Sequence, residues 1–516
     1  MQIAFLNPQG NFDPEDSYWT QHPDFGGQLV YVKQVALAMA ALGHRVDILT
    51  RRITDAEWPE FDEAEDAYPG VERVRTLRFS AGPPGFLRKE LLWPHLVREW
   101  VPNILEYYAR EGGLPAAFTG HYGDGGVCGA LIEARTGVPF TFTAHSLGAQ
   151  KMDQLEVDRG NLEKMNAQYY FARRIVAERL SMNRSAVNIT STRQEQLEQY
   201  AHRAYRGAVD VENDRRFAVI PPGANLQIFG RESVAADEAR TRAHVRAMFA
   251  RDLNPERREL PAIIAASRLD PKKNHISLVR AFAQTPALQS SANLVLITGK
   301  FDAPLGALSS AETSSAEREV LDEILQVVTA HGLEGKISAF ALQGQVALAA
   351  AYRFMAERQS VFALTSLYEP FGLAPLEAAV AGLPVVVTSN GGPTESLREG
   401  GTEYGVLVDP TDPADIARGL LRVLTDRETW ETFARRGRQR VLDRYTWGRT
   451  AEGYLAEIEA VVVNPVGRRP DRLLPIHPYF RDPGPETDVT IEELCALYCG
   501  WEAGCWGRGP EAEALT

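Results

Sequence analysis

Short apolar, β-branched runs alternate with amphipathic segments along most of this chain, an order that few folds accept. Candidate strands are Ile3–Leu6, Val46–Leu49, Phe140–Thr143, Ala186–Thr190, Phe217–Ile220, Ala262–Ala265, Leu294–Ile297, Val361–Thr365, Val385–Val387 and Tyr404–Val408. Helical patterns lie between them: Val30–Leu42, Glu163–Asn183, Ser277–Phe282, Ser315–Thr329, Val346–Ala356 and Pro413–Leu424. Continuous rather than alternating apolar strands, separated by helices, indicate parallel sheets buried on both faces. Two such sheets make an α/β protein of two Rossmann-like domains. The 516 residues suit two domains of about 200 residues each plus extensions.

The seam is expected after Ile220, where Pro221-Pro222-Gly223 breaks the pattern and a charged segment leads into a fresh strand. This gives domains over 1–220 and 221–446. A last helix, over 447–462, is expected to pack back on the first domain. A tail over 463–516 opens with a Pro- and Arg-rich stretch, and only local helix is expected in it, over Ile491–Trp501.

The net charge of -13 argues against non-specific nucleic-acid binding, which needs a basic face to displace counterions. Anionic ligands stay open, because a few local cations and helix N-termini suffice for them. The four cysteines, Cys128, Cys495, Cys499 and Cys505, are too few for a disulfide scaffold and suit a reducing compartment. The last three lack a C-x-x-C pair and a nearby histidine, so they read as unpaired tail thiols rather than a metal knuckle. Met1-Gln2-Ile3-Ala4-Phe5-Leu6 reads as a first strand without a basic leader. No apolar stretch reaches the roughly 18 residues of a membrane span. A cytoplasmic protein with no membrane partner is expected.

Several loops could carry chemistry. Gly26-Gly27-Gln28 precedes a helix, and paired glycines at a helix N-terminus let backbone approach a ligand while its N–H groups favour anions. A plain tight loop would use them too, but the polar, aromatic runs Asp16-Ser17-Tyr18-Trp19 and His22-Pro23-Asp24 before it are unusual for a connector. His121-Tyr122-Gly123-Asp124-Gly125-Gly126 and Thr143-Ala144-His145-Ser146-Leu147-Gly148 each follow a strand, where open α/β sheets bind ligands. A satisfied loop histidine explains His121 equally well. His145 is the better candidate, with Ser146 and Lys151 close behind it. Arg268 and Lys273 bracket Leu269-Asp270-Pro271-Lys272 just after a strand, and two cations there suit a diphosphate. Lys272 reads as a solvated surface cation.

The strongest local signal is Ser366-Leu367-Tyr368-Glu369-Pro370-Phe371-Gly372-Leu373-Ala374-Pro375-Leu376-Glu377-Ala378. A strand ends at Ser366, a loop follows, and Pro375 is placed to start a helix. Glu377 would then fall in the first turn, where the dipole favours an acid. An ordinary helix acid accounts for Glu377 alone, but not for Glu369 in the loop before it. Asn390-Gly391-Gly392-Pro393 is a further loop that could approach phosphates.

The pair Glu369 and Glu377, spaced E-x7-E, together with Arg268 and Lys273, resembles the donor site of retaining glycosyltransferases of the GT-B fold, family 4. His22-Pro23-Asp24-Phe25-Gly26-Gly27-Gln28, Ser146-Leu147-Gly148 and Ser191-Thr192-Arg193-Gln194-Glu195 resemble sucrose-phosphate synthases, a likeness extending to about residue 462. The resemblance implies two Rossmann-like domains facing across a cleft. On the donor side, it implies Arg268 and Lys273 at the diphosphate, Glu377 at the ribose, and Glu369 at the transferred sugar. It also implies Phe371, Gly372 and Leu373 beside the donor, Gly27 near its phosphates, Leu342 and Gln343 at the uracil, and His145 near the sugar 6-hydroxyl. On the acceptor side, it implies Gly26, Gln28, Tyr122 and Ser146, with Lys89, Lys151, Arg173 and Arg174 as cations for a phosphate. Arg173-Arg174-Ile175 matches synthases that use fructose 6-phosphate and is absent from sucrose synthases, although adjacent helix residues do not face one ligand.

The implied reaction moves glucose from UDP-glucose to fructose 6-phosphate with retention, without a metal or other cofactor. Two departures stand out. Thr298-Gly299-Lys300 lacks the double glycine common in the wider family, and no D-x-D-x-T pattern of an appended phosphatase domain is present, so a separate phosphatase partner is expected. Rival readings are a mannosylfructose-phosphate synthase using GDP-mannose, a sucrose synthase, and an inactive sugar-phosphate binding protein. A dinucleotide oxidoreductase is disfavoured, because Asn7-Pro8-Gln9-Gly10 replaces G-x-G-x-x-G after the first strand.

Overall fold

A computed structural model describes residues 1–19, 22, 24–232, 238–299, 305, 314–464, 468, 470 and 472–500. Pro23, Lys300, Trp501 and Cys505 of the sequence motifs lie outside the described residues. The chain divides into two units. One comprises Met1–Thr190, Glu195–Ile220 and the described residues from Ala451 on; the other comprises Ser191–Gln194 and Pro221–Thr450.

The first unit is built on eight strands: β1 (Gln2–Leu6), β2 (Arg45–Arg51), β3 (Glu65–Asp66), β4 (Val74–Phe79), β5 (Ala117–His121), β6 (Phe140–Thr143), β7 (Val187–Thr190) and β8 (Phe217–Val219). Their order in the sheet is β3-β4-β2-β1-β5-β6-β7-β8. All pairs are parallel except β3 with β4. Ile3 pairs with Val46 on one flank and Ala117 on the other. Ile3, Ala4, Phe5 and Leu6 are fully buried, as a parallel strand covered on both faces must be. The chain winds outward from β1 one way and from β5 the other. Their C-terminal ends therefore flank a switch point, the place where open sheets bind ligands.

The second unit repeats the plan with β9 (Ala262–Ala266), β10 (Asn293–Thr298), β11 (Ile337–Ala341), β12 (Val361–Leu364), β13 (Val385–Thr388), a small hairpin of β14 (Arg398–Glu399) and β15 (Thr402–Glu403), and β16 (Val406–Val408). Its main sheet runs β11-β10-β9-β12-β13-β16, all parallel. The switch point lies between β9 and β12.

Six strands escape the sequence pattern: the two-residue β3, β14 and β15, and the longer β4, β5 and β11. In β4 two arginines interrupt the apolar run. Tertiary partners satisfy them: Arg75 pairs with Asp47 at 2.9 Å, and buried Arg78 reaches Asn11 Oδ1 and Asp66 Oδ2, both at 3.0 Å. Residues of β5 and β11 include Gly120 and Ser338, which dilute an already short signal.

Glycines 123, 125 and 126 belong to a helix, Tyr122–Thr136, and not to a turn. Glycine disfavours helix by about 1 kcal/mol, but packing demands it here. A Cβ on Gly125 would stand 2.1 Å from Leu6 O, and one on Gly126 would stand 2.3 Å from Ser181 Oγ. The single helix expected over 163–183 is two, Leu162–Tyr169 and Phe171–Arg184, parted by Tyr170 in the left-handed region (φ 51°). Asn166 Oδ1 accepts the Ala172 N–H at 2.8 Å and caps the second.

The helix Trp447–Val463 brings Tyr454 into the first unit. There its hydroxyl lies 2.6 Å from Thr143 Oγ1 and accepts from the Tyr31 hydroxyl at 3.1 Å. Beyond it, Tyr479, Phe480, Val489, Leu494 and Tyr498 are buried in the first unit's core. Cys128 is buried, Cys495 and Cys499 are half-buried, and all three are unpaired. Among the described residues no helix is long and apolar enough to cross a membrane.

Candidate active site

In the second unit the loops after β9 and β12 are laced together. Asn274 takes the left-handed region (φ 52°) and donates its side-chain amide to Thr365 O (3.0 Å) and Pro410 O (2.7 Å). Thr365 Oγ1 returns a bond to Asn274 O at 3.0 Å, and the Leu367 N–H donates to Lys272 O at 2.9 Å. This fixes Lys273, at the end of the turn Pro271–Lys273, so that its Nζ lies 2.8 Å from Glu369 Oε2. Ser366 Oγ donates to the same carboxylate oxygen at 3.2 Å.

Gly391 and Gly392 bear on the Glu369 backbone. The Glu369 N–H donates to Asn390 O and the Gly392 N–H to Glu369 O, each at 3.0 Å. Gly391 has φ 102°, and a Cβ on it would stand 2.1 Å from Glu369 O. The protein's own backbone therefore demands that glycine.

The helix after the loop starts at Leu373, following Gly372 (φ 91°). Pro375 is therefore its third residue, and Glu377 lies in the second turn rather than the first, which corrects the sequence expectation. The Glu377 side chain is half-buried and has no hydrogen-bond partner among the described residues; burial pushes its pKa up to about 7. Phe371 packs edge-on to Tyr445, with ring centroids 6.0 Å apart. Arg268 stands exposed just past β9. Leu342, whose N–H donates to Thr298 O at 3.0 Å, and exposed Gln343 follow β11.

In the first unit, predicted residues converge on the ends of β1, β5 and β6. Gln28 is buried and donates to Asn7 Oδ1 at 2.6 Å. Gly26 caps the helix Gly27–Ala41 in extended conformation, and a Cβ on either glycine would meet nothing within 4 Å. Neither backbone angle nor packing within the chain demands glycine at these two positions.

His145 (φ 56°) and His121 form a stacked pair, with the Nε2 of His145 2.8 Å from the Nδ1 of His121. His121 stacks in turn on Phe5 at 5.3 Å, so it is a structural partner of His145 and not a loop histidine. Burial pushes the His145 pKa down to about 3 and that of His121 well below its ordinary value, so both rings are neutral near pH 7. Tyr122 (φ 57°) sets its ring 5.4 Å from that of His145.

The cations separate into two groups. Arg174 donates to Ser146 O (2.9 Å), Ser146 Oγ (3.1 Å) and Glu178 Oε1 (2.8 Å). Lys151 lies over the Tyr169 ring at 4.2 Å; burial, then Arg174 and Lys89, lower its pKa, so the three cations are close enough to repel. Lys89 pairs with Asp24 at 3.3 Å. Arg173 departs from this group. Its guanidinium is bidentate with Asp488 (2.8 and 2.6 Å) and lies 4.8 Å from the Tyr170 ring centroid and 4.7 Å from that of Tyr479. The two arginines take separate partners, as expected of adjacent helix residues, because successive helix positions diverge by about 100°.

Three residues of this site were not picked out from sequence. Glu178 is fully buried and accepts from the Gly148 N–H, Arg174 and the Tyr205 hydroxyl. Its spacing of four from Arg174 was the available signal. Asp124 is buried with Oδ1 unpartnered, and burial pushes its pKa up to about 7. Tyr454 comes from a remote helix and had no local signal. Among the described residues no cluster of three or more His, Cys, Asp or Glu could hold a metal ion.

Comparison with known proteins places these features in a family. Residues 249–440 match the model described as glycosyl transferases group 1, and residues 26–223 match the glycosyl transferase 4-like domain. The chain is 39% identical over 459 residues to a probable sucrose-phosphate synthase of Thermosipho melanesiensis, covering 89% of this chain and 96% of that one. It is 31% identical over 518 residues to the sucrose-phosphate synthase of Spinacia oleracea, covering 89% of this chain and 47% of the relative. It thus spans about half the length of that plant relative. The solved sucrose-phosphate synthase of Thermosynechococcus elongatus matches with a TM-score of 0.62 at 25% identity, over 90% of this chain and 99% of that one. The two parallel-sheet units have the GT-B fold, and on this identity and coverage the chain belongs to the sucrose-phosphate synthase family of hexosyltransferases.

Proposed function

We propose that the protein transfers glucose from UDP-glucose to the 2-hydroxyl of fructose 6-phosphate, with retention, giving sucrose 6-phosphate and UDP. The observation that carries this reading is the group of Lys89, Lys151 and Arg174 beside Ser146 and Tyr122, at the mouth of the first sheet. Arg174 is held by Glu178 and Lys89 by Asp24, while Lys151 lies over the Tyr169 ring, so the group presents local positive charge that a phosphate monoester suits. Gln28 and the open N-terminus of the helix Gly27–Ala41 add donors for the acceptor and for the donor phosphates.

On the second unit, Arg268 and Lys273 take the donor diphosphate and stabilise the charge it gains as the glycosidic bond breaks. Glu369, already held by Lys273 and Ser366, meets the sugar hydroxyls. Glu377 accepts from the ribose hydroxyls, which gives its unpartnered carboxyl a use. Phe371, Gly372, Leu373, Leu342 and Gln343 line the nucleotide. Neutral His145 contacts the sugar near its 6-hydroxyl. The departing diphosphate takes the acceptor proton, as front-face retention requires. Side-chain cations supply the charge stabilisation, so turnover is expected in EDTA.

The test is an assay of purified protein in EDTA, offering UDP-glucose, ADP-glucose or GDP-mannose with fructose 6-phosphate or fructose. UDP release that requires fructose 6-phosphate supports the reading. Preference for unphosphorylated fructose overturns the acceptor, preference for GDP-mannose overturns the donor, and no turnover overturns catalysis.

A further inference from the structure

The glycosyltransferase family models end at residue 440, yet the chain after the last long helix folds back onto the first unit and grips the acceptor side. Asp488 accepts both arms of Arg173 while its Oδ1 also accepts the Val489 N–H at 2.9 Å. The Arg173 guanidinium also lies 4.7 Å from the ring centroid of Tyr479, which is 1% exposed, and 4.8 Å from that of Tyr170. Directly after Asp488, Thr490 and Glu493 form a capping box that starts the helix Ile491–Cys499. That helix packs on the helices Leu162–Tyr169 and Phe171–Arg184. Near its end the Tyr498 hydroxyl donates to Asp153 Oδ1 at 2.6 Å and its ring stacks on His202 at 5.6 Å.

These two grips fall on the two helices that carry two of the acceptor cations, Arg174 and Lys151. Arg173 neighbours Arg174 on the helix Phe171–Arg184, and Asp153 stands two residues after Lys151 on the helix Gly148–Gln154. A seven-residue helix has little stability of its own, so its position is set by its buried Ala149 and Met152 and by the contacts at its two ends, Glu178 at Gly148 and the tail at Asp153.

We propose that Asp488 and Tyr498 are positioning residues for the acceptor site: the tail clamps Arg173 and Asp153, and so sets Arg174 and Lys151 at the spacing a phosphate monoester needs. This rests on the fructose 6-phosphate reading above. It adds that acceptor specificity depends on a segment outside the glycosyltransferase models.

The experiment uses the full chain with Asp488→Asn, Asp488→Glu and Tyr498→Phe. It measures steady-state kinetics, melting temperature and hydrogen exchange of peptides covering residues 148–154 and 171–178. Losing one bidentate charge-assisted contact predicts a KM for fructose 6-phosphate raised about tenfold in Asp488→Asn. The kcat and the KM for UDP-glucose should stay within about twofold. Asp488→Glu should recover part of the loss, Tyr498→Phe should raise the same KM, and both peptides should exchange faster. An unchanged acceptor KM with unchanged exchange overturns the clamp. So does a fall in kcat and melting temperature without a KM effect, which marks a merely structural contact. If the wild-type chain ignores fructose 6-phosphate, the functional reading fails, and the exchange data still decide whether the tail orders these helices.

Discussion

Lys273 holds its ammonium 2.8 Å from Glu369 Oε2, across 96 residues of chain. About a third of the Lys273 side chain is exposed, against 13% of Glu369, so the pair contributes only about 1 kcal/mol to stability. In the proposed reaction its weight falls on catalysis. Lys273→Ala is expected to lower kcat by about 10²–10³-fold, the usual loss when a preorganised charge at a transition state is removed. The melting temperature should change little. Kinetics and a thermal melt on one preparation check this, and a large fall in melting temperature would show that the pair holds the fold instead.

Glu377 should trade stability for binding. Its carboxyl titrates near 7 in the folded state against 4.5 when unfolded. The folded chain therefore retains a proton that the unfolded chain has lost, and stability falls as pH rises from 4.5 to 7. Glu377→Gln removes this cost. It is expected to stabilise the protein at pH 8 by about 1–2 kcal/mol, discounted for partial exposure, and to have little effect at pH 4.5. Donor affinity should fall in the same variant. Urea unfolding at the two pH values, with a UDP titration, measures both.

Gly391→Ala should be severe. The added Cβ would meet Glu369 O at 2.1 Å with φ at 102°, which costs about 3 kcal/mol or more and moves Glu369. Gly113→Ala, where a Cβ meets nothing within 4 Å, is the control and should be near neutral. Melting temperatures of the two variants decide it.

Glu178 joins Gly148, Arg174 and Tyr205 with no exposure to solvent. Glu178→Ala leaves Arg174 without its counter-charge and should cost about 3–5 kcal/mol. Glu178→Gln keeps an acceptor for the Gly148 N–H and should cost less. If the alanine variant melts like the wild type, Glu178 does not organise the acceptor side.

The stacked histidines predict an acid limb of stability. Burial depresses the folded pKa of His145 to about 3 and that of His121 well below 6.5. The unfolded chain takes up protons below pH 6.5 that the folded chain refuses. The contribution is therefore fully present above about 6.5 and is lost as pH falls toward 3. His145→Gln should reduce proton uptake on unfolding at pH 5 by about one, read from the slope of unfolding free energy against pH. An unchanged slope would mean that His145 titrates normally in the folded protein.

The strand-and-helix alternation gave the α/β class directly, because a strand buried on both faces must be continuously apolar. Phe140–Thr143 and Pro413–Leu424 are read off with their observed ends. Local spacing also pointed to Glu369, Lys273 and His145, in loops that follow strands, and to Gly27 at a helix start, positions where backbone geometry itself makes ligand sites. The signal failed where a remote partner overrides local preference. The arginines of Val74–Phe79 are tolerated because Asp47 and Asn11 wait for them, and the glycines of Tyr122–Thr136 are helical because Leu6 and Ser181 leave no room for a side chain.

What the sequence by itself determined was the order of elements and the chemistry available at each loop, since both follow from side-chain periodicity and residue type over a few positions. What only the tertiary structure decided was the pairing. Lys273 meets Glu369, Arg174 goes to Glu178 while its neighbour Arg173 goes to Asp488, and Tyr454 reaches Thr143. Such pairings join residues far apart in the chain or split adjacent ones. They are fixed by how sheets and helices stack, because directions diverging by about 100° per helical residue acquire meaning only once the neighbouring element is in place.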